Sequence, residues 1–144
     1  MTRKQKYPDT ATFHFYNANP HGRITGDCVT RAIATALEID YNVAVMLGAI
    51  AQVETGYDNA TAQGIDYIVG RCGWTKQKQP RKANGKKYTG KEFCKAIKNG
   101  TYAWLQGKRI IANIGGHHTV AIVDERIWDI WDSTDGCIGN YWIK

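Results

Sequence analysis

Residues 109–132 read Arg109-Ile-Ile-Ala-Asn-Ile-Gly-Gly-His-His-Thr-Val-Ala-Ile-Val-Asp-Glu-Arg-Ile-Trp-Asp-Ile-Trp-Asp132. Two apolar runs of strand length flank Gly115-Gly116. Arg109–Ile114 is rich in β-branched residues, which suit a pleated surface. His118–Val123 alternates with period two and sets His118, Val120 and Ile122 on one face. Asp124-Glu125-Arg126 reads as a turn, and Ile127–Asp132 returns as the partner strand. Thr101–Leu105 reads as a further strand, and Tyr141–Ile143 is expected to close the sheet. Upstream the period changes. In Asp27–Leu37, residues Val29, Ala32, Ile33, Ala36 and Leu37 recur at helical spacing, with Asp27 as N-cap. Further helices are expected over Tyr41–Gln52, Ala62–Val69 and Thr89–Lys98. The last carries a capping box, Thr89 with Glu92, and stops at Asn99-Gly100. Helices first and sheet afterwards predict an α+β fold, with N-terminal helices packed on a C-terminal antiparallel sheet.

The chain has 144 residues, 43% hydrophobic and 22% charged. That suits a single domain over 1–144 with its own core, with 1–12 as a loosely ordered arm. No apolar run is long enough for a membrane span, so no membrane role is expected. The basic N-terminus is followed by no apolar stretch, which argues against a secretory signal and for a cytoplasmic protein with reduced thiols. Cys28, Cys72, Cys94 and Cys137 stand far apart. Their spacing fits neither a zinc site nor a disulfide framework, so no metal and no cofactor are expected. The net charge is +6, and the segment Lys76–Lys91 holds seven basic residues and no acidic one. A solvated loop or hairpin is the favoured reading of that segment. A surface for an acidic partner or nucleic acid is the sharper one.

Chemistry centres on Cys28. The first turn of a helix carries partial positive charge and favours thiolate, the nucleophilic form. Its free N–H groups can also receive an oxyanion. Asp27 opposes this effect, and a buried inert thiol is the plain alternative. His118 is the candidate base. If residues 124–126 form a three-residue turn, His118 lies opposite Asp132, which then orients the imidazole. A one-residue change of register brings Asp129 onto that face instead, so Asp129 is the competing third member. The three-residue turn also sends Trp131 to the face away from His118, into the core. Arg31 lies one helical turn after Cys28, where a structural salt bridge or loop hydrogen bond is expected.

A helix-start cysteine, a strand histidine and an aspartate, in that order, resemble the papain-like superfamily. Gly26–Ala32, Gly116–His118 and Trp131–Ser133 carry the match. The chain is also similar to small phage and prophage proteins with a DCVxRA segment and a later GHxxAxxDGxxYDTWD segment. In that comparison His118, not His117, aligns with the family histidine, and Asp129 and Asp132 align with the aspartates of DTWD. Glu125 stands where the family turn has Gly, and Trp128 and Ile130 replace Tyr and Thr. The resemblance implies a papain-like fold and a thiol hydrolase acting on a protein or peptide, in the host cytoplasm if phage-encoded. Peptidase, amidase and isopeptidase chemistry all fit. The alternatives are a phage peptidoglycan amidase or endopeptidase, and a non-enzymatic phage protein that binds a host factor or nucleic acid through 76–91. Such enzymes usually carry an oxyanion-donating Gln or Asn just before the cysteine. Here Asn19 is the nearest upstream amide, with Asn17 and His21 as further donors and the Cys28 backbone N–H as the firmer one.

Overall fold

The helix that begins at Cys28 and the strand that begins at His118 pack face to face, and the rest of the fold is arranged around them. In the computed structural model, which describes residues 1–144, the helices are α1 (Arg3–Lys6), α2 (Cys28–Leu37), α3 (Tyr41–Thr55), α4 (Ala62–Gly70) and α5 (Gly90–Lys98). The strands are β1 (Phe13–Phe15), β2 (Thr75–Gln77), β3 (Ile110–Ile114), β4 (His118–Val123), β5 (Arg126–Asp129) and β6 (Ile138–Ile143). The six strands form one sheet in the order β1-β5-β4-β3-β6-β2. The fold is therefore α+β, as expected.

The sheet departs from expectation in three ways. It is mixed, because β1 runs parallel to β5 at one edge, while every other pair is antiparallel. Its far edge, β2, comes from the middle of the chain and opens the basic segment. Finally, Tyr141–Ile143 lies inside the sheet, between β3 and β2, and does not close an edge. Residues Thr101–Leu105 are not strand: Ala103–Leu105 forms a 3-10 turn. The arm over residues 1–12 is anchored. Arg3 Nε donates to the Ile130 carbonyl at 2.6 Å, and Ile127 N–H donates to the Thr12 carbonyl at 2.8 Å. Within the basic segment, residues 81–87 form a turn closed by an Arg81–Lys87 bridge, and Lys91 lies in the first turn of α5.

Strand alternation assigns each side of the sheet its own core. Ile111, Ala121, Val123 and Trp142 face a cluster with Val29, Ile33 and Ala36 of α2 and Ile65 and Val69 of α4. Ile110, Ala112, Val120, Ile122 and Ile127 face the other cluster, with Phe93 and Ile97 of α5 and Phe13 of β1. Helix α2 is buried without a break from Val29 to Ala36 because it is held between the sheet and α3. Its fixed position holds Cys28 beside the start of β4. Helix α5 starts with the complete capping box foreseen at Thr89 and Glu92. Gly90, its first residue, approaches the sheet so closely that an added Cβ would lie 2.6 Å from Ile127 Cδ1. No single helix is long and apolar enough to cross a membrane.

Candidate active site

Cys28 is the first residue of α2. Burial pushes its thiol up, but hydrogen bonds from His118 and from the Thr119 backbone, with the charges of His118 and Arg31, outweigh that and hold it below its ordinary value. Cys94 supplies the contrast. It is buried among apolar side chains, and burial together with Glu125 raises its thiol to about 12. Cys28 is thus the more readily ionised of the two thiols and Cys94 the less.

His118 opens β4. Its Nε2 engages the Asp129 carboxylate, so Nδ1 is the ring nitrogen left to face Cys28. Burial pushes the imidazole down, yet the Asp129 hydrogen bond, the Cys28 thiol and their charges raise it to about 9. A lowered thiol beside a raised imidazole favours transfer of the thiol proton to the ring.

Asp129, not Asp132, holds His118. The reason is the β4–β5 turn. Val123 pairs with Arg126, Ile122 with Ile127 and Ala121 with Trp128, so the loop contains only Asp124 and Glu125. Both adopt positive φ, 51° and 56°, as a two-residue hairpin turn of the I′ type requires. The shorter loop shifts the register by one residue. Asp129 comes onto the His118 side, and Trp131 follows it, its ring 5.0 Å from the imidazole and not in the core. Asp132 turns to local work: its Oδ1 accepts from Thr134 N–H at 3.0 Å and from the Thr134 hydroxyl.

Asp129 is 1% exposed and Arg31 6% exposed, and this burial makes their pairing decisive. Arg31 Nη1 donates to Asp129 Oδ1 at 2.7 Å, and its Nε donates to Asp27 Oδ1 at 2.9 Å. Asp129 Oδ1 also receives the Ile130 N–H at 2.7 Å. The guanidinium therefore locks the carboxylate that orients His118. The salt bridge expected at Arg31 is present and reaches further than expected, into β5.

Asp27 precedes the helix but its side chain does not cap it. The carboxylate goes to Arg31, to the Tyr41 hydroxyl at 2.7 Å and to Asn19 Nδ2 at 3.2 Å. This leaves the first N–H groups of α2 uncapped beside Cys28, available to a developing oxyanion. Asn19 does not fill the oxyanion role expected of it. Its Nδ2 is spent on Asp27 and Tyr41, and its Oδ1 accepts from His21 N–H.

Cys28 opens into a recess of about 360 Å³ bordered by Asn113, Gly116, His118, Thr119 and Ala60. Gly115 and Gly116 take positive φ, 63° and 84°, which lets the β3–β4 loop turn in three residues and keeps the recess open. Sequence reasoning missed Asn113. It sits where the β3–β6 register slips, and Thr119 Oγ1 donates to its Oδ1 at 3.2 Å. Such irregularities re-aim side chains beside active sites. The Thr119 N–H was also missed, since no side-chain pattern marks a backbone donor.

Comparison with protein-family models, with curated proteins and with solved structures found no match to this chain.

Proposed function

We propose that the protein is a papain-like cysteine hydrolase that cleaves an amide, peptide or isopeptide bond. The observation that carries this reading is the Cys28–His118–Asp129 relay, with a lowered thiol, a raised imidazole and a buried carboxylate behind it. The Cys28 thiolate attacks the carbonyl carbon and forms the S–C bond, while the uncapped N–H groups of α2 receive the oxyanion. The His118 imidazolium gives its proton to the departing nitrogen as the C–N bond breaks. Water then attacks the thioester and passes a proton to His118. The S–C bond breaks, the acid leaves, and the thiolate–imidazolium pair is restored. Asp129 keeps its charge throughout and fixes the ring, and Arg31 fixes Asp129. An amine in place of water turns the same relay into an acyl transferase.

The test is turnover of a panel of internally quenched peptides. The proposal expects at least one to be cleaved by the wild type, and expects that cleavage to vanish in Cys28→Ala and His118→Ala. Cleavage that survives Cys28→Ala would overturn it.

A further inference from the structure

On the far side of His117 and His118 from the Cys28 recess lies a second cavity, of about 430 Å³, within the range of small-ligand sites. Five residues of the segment after β5 border it: Trp131, Asp132, Ser133, Asp135 and Gly136. No lysine or arginine borders it. Asp132 is held rigidly through Oδ1 by Thr134, and its Oδ2 has no hydrogen bond within the chain. Asp135 stands at the exposed rim and is shared with Lys91 at 3.2 Å. Ser133 is 4% exposed, and its hydroxyl has no partner anywhere in the protein. An orphaned buried hydroxyl costs about 1–3 kcal/mol, a cost that a bound donor would relieve.

An aromatic wall, a pre-set carboxylate and a spare buried acceptor together suit a cation that also donates hydrogen bonds. The Trp131 ring attracts the charge, Asp132 pairs with it, and the enclosed Ser133 hydroxyl, once its side chain turns into the cavity, accepts one more N–H. The imidazolium of His118 does not repel it, because the buried Asp129 carboxylate pairs with that charge. We infer that this cavity is a specificity pocket for a basic side chain, arginine or lysine, of a peptide substrate adjacent to the bond attacked by Cys28. The inference rests on the hydrolase reading for the word substrate. The pocket itself is defined by binding.

The test therefore uses Cys28→Ala protein, so that binding is read without turnover. The probes are N-acetyl-arginine methylamide and its uncharged counterpart N-acetyl-norleucine methylamide. The signal is the Trp131 indole N–H resonance, assigned with Trp131→Phe. The arginine probe is expected to shift that resonance saturably, and the norleucine probe to leave it in place. Asp132→Asn, which keeps the acceptor for Thr134, is expected to weaken the arginine probe about tenfold, as loss of a charge-assisted bond does. Ser133→Ala removes a group with no partner in the chain, so it keeps the fold, and should weaken the probe about threefold. Equal response to both probes, full-strength binding in Asp132→Asn, or no saturable shift with the arginine probe up to about 10 mM overturns the pocket. None of these outcomes touches the Cys28 chemistry, which is tested separately by alkylation and turnover.

Discussion

Asp129→Asn isolates the electrostatic part of the relay. The substitution keeps the side chain's volume and one acceptor oxygen but removes the charge shared between Arg31 and His118. His118 stands at about 9 against an ordinary 6.5, with burial opposing the rise and Asp129 the strongest group producing it. Loss of that charge should return the imidazole by roughly 1–2 pH units, and each unit shifts the thiolate–imidazolium to thiol–imidazole ratio tenfold. The ratio of ion pair to neutral pair then falls by about 10–100-fold, and the thiolate population falls with it. The assay is the rate of iodoacetamide alkylation at Cys28, followed by mass spectrometry at about pH 6.5, where ordinary thiols are protonated. Circular dichroism checks that the variant is folded. Asp129→Asn protein that is folded and alkylates as fast as wild type would refute the reasoning, because the carboxylate would then not be what keeps the imidazole charged.

Three further outcomes follow from the same contacts. The wild-type kcat/KM should rise with pH as Cys28 ionises, below the ordinary thiol value of 9, and fall as His118 loses its proton at about 9. A profile still rising above that pH would deny His118 its role as acid. Arg31→Met takes the shared guanidinium away from the carboxylates of Asp27 and Asp129, and should cost about 3–5 kcal/mol, or on the order of 10 °C in Tm, with Arg31→Lys recovering part of it. Differential scanning calorimetry reads both. Glu125→Gly relieves a left-handed residue in the turn that sets the register, and should raise stability by about 0.5 kcal/mol in urea denaturation.

The parts of the molecule that were legible in the sequence are those encoded locally. The apolar spacing of Val29, Ile33 and Ala36, the Thr89–Glu92 capping box and the alternation through β4 each specify an element within a few residues. The three-residue turn was misread because the residues that take positive φ are Asp124 and Glu125, not the glycine that usually marks such a turn. That one misreading changed the third member of the relay and moved Trp131 from the core to the site. The rest was illegible because it is long-range. Nothing near Phe13–Phe15 says that its partner is β5, and nothing near Arg31 says that it meets an aspartate 98 positions away. Asp27 reads as a cap by position, yet Arg31 and Tyr41 compete for the same carboxylate and win. Cys28 and His118 were singled out by their places at a helix start and a strand start, while the turn's geometry decided which aspartate meets the imidazole.

The most direct test of the account is a competition among the four thiols. Cys72 and Cys137 are exposed, Cys28 is half-buried and Cys94 is buried. Exposure alone predicts that limiting iodoacetamide at about pH 6.5 labels Cys72 and Cys137 first. The account predicts that Cys28 is labelled ahead of both, and that His118→Ala removes this preference. Labelling in order of exposure, unchanged by His118→Ala, would contradict it.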